Sequence, residues 1–262
     1  QVVKYDYYLG KVLDNLIQEN VIKAERGAIY DRNMQALAMN ITTYRIFVSP
    51  ADIKEEDRDT VAKGLSDILQ VDYEDIYKKL LKVTRKDETI KKDVDKDTAD
   101  EVRRFIDKNN FVGQIYLEAG SKRYYPYENS AAQVIGYLGT DGGLFGLELQ
   151  YNEQLTGTDG KYITARNAKN QSMPSKYDSK IDPKNGYGLV TTLDMNIQAI
   201  LENYLEQTYK ENLAGNNVCG IVMDVETGAI YAMATNWGFD LNSPFTLTDE
   251  YADELKFSGL SA

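Results

Sequence analysis

The sequence contains no histidine and only one cysteine, Cys219, among its 262 residues. Without His, the usual neutral-pH proton shuttle and the commonest metal ligand are both missing. Ser-His-Asp and Cys-His sites are excluded for the same reason. A lone cysteine makes no internal disulfide and no thiolate cluster, and Cys219 itself reads as a small buried core residue. No apolar run approaches the ~20 residues that span a bilayer, and no signal-peptide h-region is visible. Positive charge is in deficit: 30 Lys and Arg face 41 Asp and Glu, a formal net charge of −11. That field repels phosphate backbones, so nucleic acid is not an expected partner. It also opposes an anionic membrane surface, except at local lysine clusters.

The serine–lysine nucleophile is missing as well. That chemistry places hydroxyl and amine one helical turn apart, as Ser-x-x-Lys. No serine here is followed by lysine three positions later, and neither Ser-x-Asn nor Lys-Thr-Gly occurs. A paired-carboxylate hydrolase remains formally open, but with 41 acidic residues a close pair arises by chance. No residue is assigned a catalytic, cofactor-binding or metal-binding role.

What is present is a globular balance of 42% hydrophobic and 27% charged residues, enough for two modest domains or one large one. Tyr outnumbers Phe by 20 to 7, which fits half-exposed sheet faces and domain contacts. Residues 1–25 read as a helix or extended lead-in, with Tyr5, Tyr8, Leu9, Val12, Leu13 and Leu16 at helical spacing. Residues 26–33 read as a strand entering a tight turn, with Asn33 as the left-handed turn residue. A second strand alternates Tyr44, Ile46 and Val48 against Thr43, Arg45 and Phe47.

Residues 51–110 carry two helical stripes, Val61, Leu65, Ile68 and Leu69, then Tyr73, Ile76, Tyr77, Leu80 and Leu81. Thr98-Ala99-Asp100-Glu101 resembles a capping box opening a third helix. Charge runs such as Lys91-Lys92-Asp93 read as exposed surface. Residues 111–170 are strand-like and turn-rich, with seven glycines from Gly136 to Gly160 marking turns and close backbone approaches. Residues 171–187 read as a hydrophilic connector. Asp194 then caps a helix bearing Ile197, Ile200, Leu201, Tyr204 and Leu205, with Gly215 as its stop. Val218 to Val225 reads as a buried strand, Glu226-Thr227-Gly228 as a hairpin turn and Ala229 to Thr235 as the partner strand.

These motifs carry a resemblance. Arg26-Gly27-Ala28-Ile29-Tyr30-Asp31-Arg32-Asn33, with Leu37-Ala38, is similar to the first signature of class B penicillin-binding proteins. Met34 stands where that signature has Gly. Arg123-Tyr124-Tyr125-Pro126 resembles the family's Arg-x-Tyr-Pro. Gly136-Tyr137-Leu138-Gly139 and Gly146-Leu147-Glu148, with Tyr151, Leu155, Gly157 and Gly160, resemble its third signature. Thr192-Leu193-Asp194 with Gln198 is similar to the segment that opens the transpeptidase domain. Val222-Met223-Asp224, Thr227-Gly228-Ala229-Ile230 and Ala232-Met233-Ala234 resemble that domain's first strand pair, and Phe239-Asp240-Leu241-Asn242 resembles the Phe-Asp-x-Asn that often follows. The matches run in family order over most of the chain.

The resemblance implies an α+β fold: an elongated, strand-rich pedestal (dimerisation) domain over residues 1–180, with a helical insertion at about 51–110. An incomplete transpeptidase start, helix plus hairpin, follows at 187–262. It implies no cofactor. It implies a parent that crosslinks peptidoglycan stem peptides through a serine acyl-enzyme and is acylated by beta-lactams, with its three active-site motifs downstream of these residues. The parent is expected on the extracytoplasmic face of the membrane, held by an upstream anchor helix, with partners in the elongation, division or sporulation machinery. The alternative is a self-contained extracytoplasmic interaction or sensor domain. Within the signatures, Arg26, Asp31 and Arg32 either cluster with Glu148 or sit as exposed charges beside a turn. Asp224 is expected to accept from the Thr227 or Gly228 amide. A hairpin without a sheet is marginal, so 218–235 is expected to be poorly packed or to need an intermolecular partner.

Overall fold

The computed structural model describes residues 17–165, 179–212, 218–236 and 238–246. In chain order its strands and helices are β1 (Ile17–Ile22), β2 (Ile29–Tyr30), β3 (Ala36–Val48), α1 (Arg58–Leu69), α2 (Tyr73–Leu80), β4 (Glu88–Val94), α3 (Lys96–Asn109) and β5 (Ile115–Tyr124). There follow α4 (Ala132–Ile135), β6 (Leu138–Gly139), β7 (Gly142–Gly143), α5 (Gly146–Gln150), α6 (Asn152–Thr156), β8 (Gly160–Ala165), β9 (Ser179–Ile181), β10 (Leu189–Val190), α7 (Met195–Asn212), β11 (Cys219–Met223) and β12 (Ile230–Thr235). The fold is mixed α+β, as the sequence implies. The chain divides into two compact units, one of residues 40–123 and one of residues 1–39 with 124–262.

Unit 40–123 packs α1, α2 and α3 over strands β3, β4 and β5. Most of the two stripes legible in the sequence goes into its core: Val61, Leu65, Leu69, Ile76 and Leu80 have no exposed surface, whereas Leu81, past the end of α2, is 52% exposed; each buried aliphatic side chain contributes ~1.5–3 kcal/mol. Ile46 and Val48 of β3 face them, while Arg45 and Phe47 lie half-buried on the opposite face. Asp72 caps α2 by accepting from the Glu74 amide at 2.7 Å. The third helix starts earlier than the Thr98 box suggests. Its cap is Asp95, which accepts from the Thr98 amide at 2.9 Å and the Thr98 hydroxyl at 2.8 Å. The Asp-x-x-Thr pairing satisfies the same orphan amide one turn upstream. The run Lys91-Lys92-Asp93 lies within β4, paired antiparallel to β3, with Lys92 and Asp93 exposed as the sequence suggests and Lys91 half-buried. Ladder bonding to β3 holds this charged stretch extended, and Lys91 donates to the Leu69 carbonyl at the end of α1.

In the other unit, β1 pairs antiparallel with β8, which also pairs with β9. Strand β2 pairs with the first residues of β3 and, in parallel, with β10. Its core gathers distant segments around Ile29, Leu37, Tyr125, Ile135, Leu155 and Leu193. The lead-in is extended over 17–22, whereas the stripe from Tyr5 to Leu16 lies outside the described residues. So do Gly215 and residues 171–178 of the connector.

The hairpin β11–β12 is better packed than expected. Ala232 is fully buried and Ala234 is 4% exposed, because α7 lies along β12. Small side chains let the helix approach closely. On β11 the alternation points the other way: Ile221 and Met223 are 62% and 55% exposed. Cys219 is exposed rather than buried, because it shares that outward phase of the strand.

Candidate functional site

The quoted signatures meet one another in the unit formed by residues 1–39 and 124–262, and the contacts are largely polar. Arg26 lies just before β2 and Glu148 on α5, 122 positions apart. The Arg26 Nε donates to Glu148 Oε2 at 2.8 Å, and Nη2 lies 2.7 Å from the same oxygen. Nη2 also donates to the Glu148 carbonyl at 2.9 Å. The remaining guanidinium nitrogen donates to Asn152 Oδ1 and Thr156 Oγ1 on α6. Tyr125 adds its hydroxyl to Glu148 Oε1 at 3.3 Å. Glu148 has no exposed surface, so the carboxylate is carried inside by a planar donor fork and a phenol.

Asp31 and Arg32 do not join this cluster. Asp31 is fully buried and accepts the amides of Asn33 and Gln35, each at 2.8 Å. The carboxylate therefore shapes its own turn, as an Asx motif does. Arg32 places its guanidinium 4.5 Å from the centre of the Tyr231 ring, a cation–π contact. The left-handed residue of the turn is Met34, at φ 64°, not Asn33. Asn33 instead spends its side chain on Asp31 and on Asp194 Oδ2, the latter at 3.3 Å.

Asp194 is where two further signatures converge. Its Oδ1 accepts the Asn196 amide at 3.0 Å at the start of α7, and its own amide donates to the Tyr231 carbonyl at 2.8 Å. The Asn33 hydrogen bond, then the helix amides, hold its carboxyl below the usual range. Gln198 is fully buried and behaves like a stretch of strand. Its Oε1 accepts from the Met233 amide at 2.9 Å, and its Nε2 donates to the Met233 carbonyl at 3.0 Å. Thus one amide side chain satisfies the inward backbone groups of β12.

Arg123, Tyr125 and Pro126 are separate in role. Arg123 belongs to unit 40–123, where it donates to Asn40 Oδ1 at 3.1 Å. Tyr125, 2% exposed, precedes the turn that starts at Pro126. Its backbone amide donates to Asn242 Oδ1, and its carbonyl accepts from Asn242 Nδ2, both at 3.0 Å. So the Arg-x-Tyr-Pro and Phe-Asp-x-Asn segments are held together by a bidentate amide. Asp224 accepts the amides of Glu226 and Thr227, each at 2.9 Å, and the Tyr231 hydroxyl at 2.8 Å. The Thr227 amide, then the tyrosine, pull its pKa down to about 2. Gly228 closes that turn, its amide donating to the Asp224 carbonyl.

Gly27 and Gly146 are dictated by close approach. A Cβ on Gly27 would lie 1.9 Å from the Tyr187 carbonyl oxygen. One on Gly146, at φ 59°, would lie 2.5 Å from the Val134 oxygen. Both positions admit no side chain.

Sequence reasoning missed Glu202. Its carboxylate accepts from Ser130 Oγ at 2.7 Å, the Ala131 amide at 2.9 Å and Gln198 Nε2 at 2.7 Å, tying α7 to the start of α4. It is one acidic residue on a polar helix face, and nothing local singles it out. Chemically the network orients and fastens chain segments. The serine hydroxyl in it, Ser130, donates to Glu202 as part of that fastening. Among the described residues no group of three or more Cys, Asp or Glu side chains is arranged to hold a metal ion, and no helix is long and apolar enough to cross a membrane.

Comparison with known proteins bears on what such a network belongs to. A family model described as the penicillin-binding protein dimerisation domain matches residues 21–191. The chain is 31% identical over 249 residues to the probable peptidoglycan D,D-transpeptidase PenA of Neisseria gonorrhoeae, covering 93% of this chain and 41% of that one. It is 26% identical to stage V sporulation protein D of Bacillus subtilis, covering 89% of this chain and 36% of that one. The chain therefore spans about two fifths of the length of these curated relatives. Among solved structures, penicillin-binding protein 2X from Streptococcus thermophilus superposes with a TM-score of 0.65 at 24% identity, over 87% of this chain and 36% of that one. A complex of penicillin-binding protein PBP2 with MreC from Helicobacter pylori gives 0.63 at 21%, over 92% of this chain and 47% of that one; both show the fold.

Proposed function

The chain belongs to the penicillin-binding protein dimerisation-domain family, and from that premise we propose that it is the non-catalytic pedestal region of a peptidoglycan D,D-transpeptidase. Residues 1–180, with the helical insertion at about 51–110, are the pedestal, and 187–262 open the transpeptidase domain. The parent crosslinks stem peptides by a serine acyl-enzyme, is acylated there by beta-lactams, and works on the extracytoplasmic face of the cell membrane behind an upstream anchor helix. The carrying observation is the mismatch of coverage. Relatives named as D,D-transpeptidases align over nearly all of this chain and under half of their own, while this sequence holds no Ser-x-x-Lys, Ser-x-Asn or Lys-Thr-Gly.

The signature residues Arg26, Gly27, Asp31, Arg32, Arg123, Tyr125, Pro126, Gly146, Glu148, Asp194, Asp224 and Gly228 serve as structural fasteners in this reading. What supports it is that Arg26, Asp31, Tyr125, Glu148, Asp194 and Asp224 bind backbone or each other. Partner proteins of the wall-building machinery are part of the proposal, prompted by relatives that carry a sporulation name or are seen with MreC. Fluorescent-penicillin labelling of this chain beside the complete gene product tests the reading. Labelling of the complete product alone is the expected result. Covalent labelling of the short chain overturns it, and labelling of neither favours a self-contained interaction domain.

A further inference from the structure

Residues 78–86 read Lys-Lys-Leu-Leu-Lys-Val-Thr-Arg-Lys. Five cations fall in nine positions with no acid among them, inside a chain of net charge −11. The segment covers the last turn of α2 and the loop to β4. Leu80 goes into the core, but Leu81 and Val83 do not: they are 52% and 48% exposed. The side chains of Lys78, Lys82 and Arg85 are 68%, 50% and 66% exposed around them, and Lys86 is exposed too.

The loop is built rather than loose. The Lys82 amide donates to the Lys79 carbonyl at 3.2 Å, and the Arg85 amide to the Lys82 carbonyl at 2.8 Å. The Arg85 carbonyl in turn accepts from the Ala51 amide at 3.0 Å. Glu88, 8% exposed, sits beneath and draws Lys82 to 3.0 Å and Arg85 to 3.5 Å. Asp75 lies 3.7 Å from Lys78, and Asp87 pairs with Arg45. No acid engages Lys86 among the described residues.

We propose that the 78–86 segment is a docking surface for an anionic phospholipid membrane, with Leu81 and Val83 entering the interface and Lys78, Lys82, Arg85 and Lys86 meeting headgroup phosphates. Charge complementarity selects an anionic occupant. The two aliphatic side chains between the cations select a lipid surface over a soluble polyanion, because only a bilayer offers an apolar layer just below its phosphates. The inference goes beyond the transpeptidase reading. Its test uses vesicles and reads no acylation, so the two fail separately.

The experiment is co-sedimentation of the chain with phosphatidylglycerol–phosphatidylcholine vesicles and with pure phosphatidylcholine vesicles. Binding to the first alone, weakening with salt, is expected. Each phosphate-facing cation is worth ~5-fold in affinity, so Lys78→Gln with Lys86→Gln lowers it by about 25-fold. Leu81→Ser with Val83→Ser also weakens binding. All four side chains are exposed, so both double variants keep the parental melting curve, and circular dichroism checks this. No binding to anionic vesicles, equal binding to neutral ones, or an unaffected Lys78→Gln/Lys86→Gln variant overturns the proposal. So does insensitivity to Leu81→Ser/Val83→Ser combined with full competition by free poly(glycerol phosphate), which assigns the surface to a soluble polyanion instead.

Discussion

Arg26 and Glu148 show what a signature arginine does once the chain is folded. With Glu148 fully buried and the Arg26 side chain 11% exposed, removing the cation strands a carboxylate inside. Arg26→Ala is therefore expected to cost about 3–5 kcal/mol of unfolding free energy, measured by urea denaturation. The double change Arg26→Met with Glu148→Leu recovers most of that loss, because no charge is then left unpaired. An unchanged midpoint for Arg26→Ala would show that the pair carries nothing. Met34 gives the opposite case. It holds φ 64° and is 60% exposed, a conformation that costs a non-glycine residue about 1–2 kcal/mol. Met34→Gly gives back part of this as chain entropy in the unfolded state, so it is expected to raise stability by about 0.5–1 kcal/mol, read as a higher denaturant midpoint. That the resemblance has Gly at this place was legible. That the left-handed angle falls on Met34 rather than Asn33 was not, since Asn33 is committed to Asp31 and Asp194.

At the scale of elements, the hairpin is where local and tertiary forces part. Its turn was readable: Asp224 and Thr227 form the motif that their types predict. Its packing was not, because the strand alternation does not say which phase a helix 18 residues long will cover. The small Ala232 and Ala234 on one phase are the only hint. The Asp224 carboxyl, lowered from 3.8 to about 2, makes the turn sensitive to acid. Its folded pKa lies below the unfolded one, so the stabilisation is complete above about pH 4 and is lost as pH falls through 2. Stability measured between pH 5 and pH 2 is expected to fall less steeply in Asp224→Asn than in the parent. Identical slopes would remove the carboxylate from the account. Helices α1 and α2 were legible nearly to their ends, since an amphipathic stripe encodes the face that must be buried. Strand β4 was hidden behind its lysines, whose charge masks a backbone held extended by β3.

For the whole molecule, residues 40–123 have their own core of three helices on three strands. Strand β5 pairs with β3, so a fragment of residues 40–123 would begin and end in hydrogen-bonded strands. Such a fragment is expected to fold alone with a cooperative thermal transition, followed by circular dichroism; a fragment without one would make this core dependent on the rest of the chain. By itself the sequence determined what depends on residue type and short spacing. It excluded histidine chemistry, a thiolate cluster and Ser-x-x-Lys chemistry, placed the amphipathic helices, and ordered the signatures along the chain. Only the tertiary structure decided that Arg26 belongs to Glu148 while Asp31 and Arg32 do not, that Asn242 clasps Tyr125, and that Glu202 ties α7 to α4. These contacts join residues between 71 and 122 positions apart. Over that distance charge and polarity name many acceptable partners, and the packing of the apolar core selects among them.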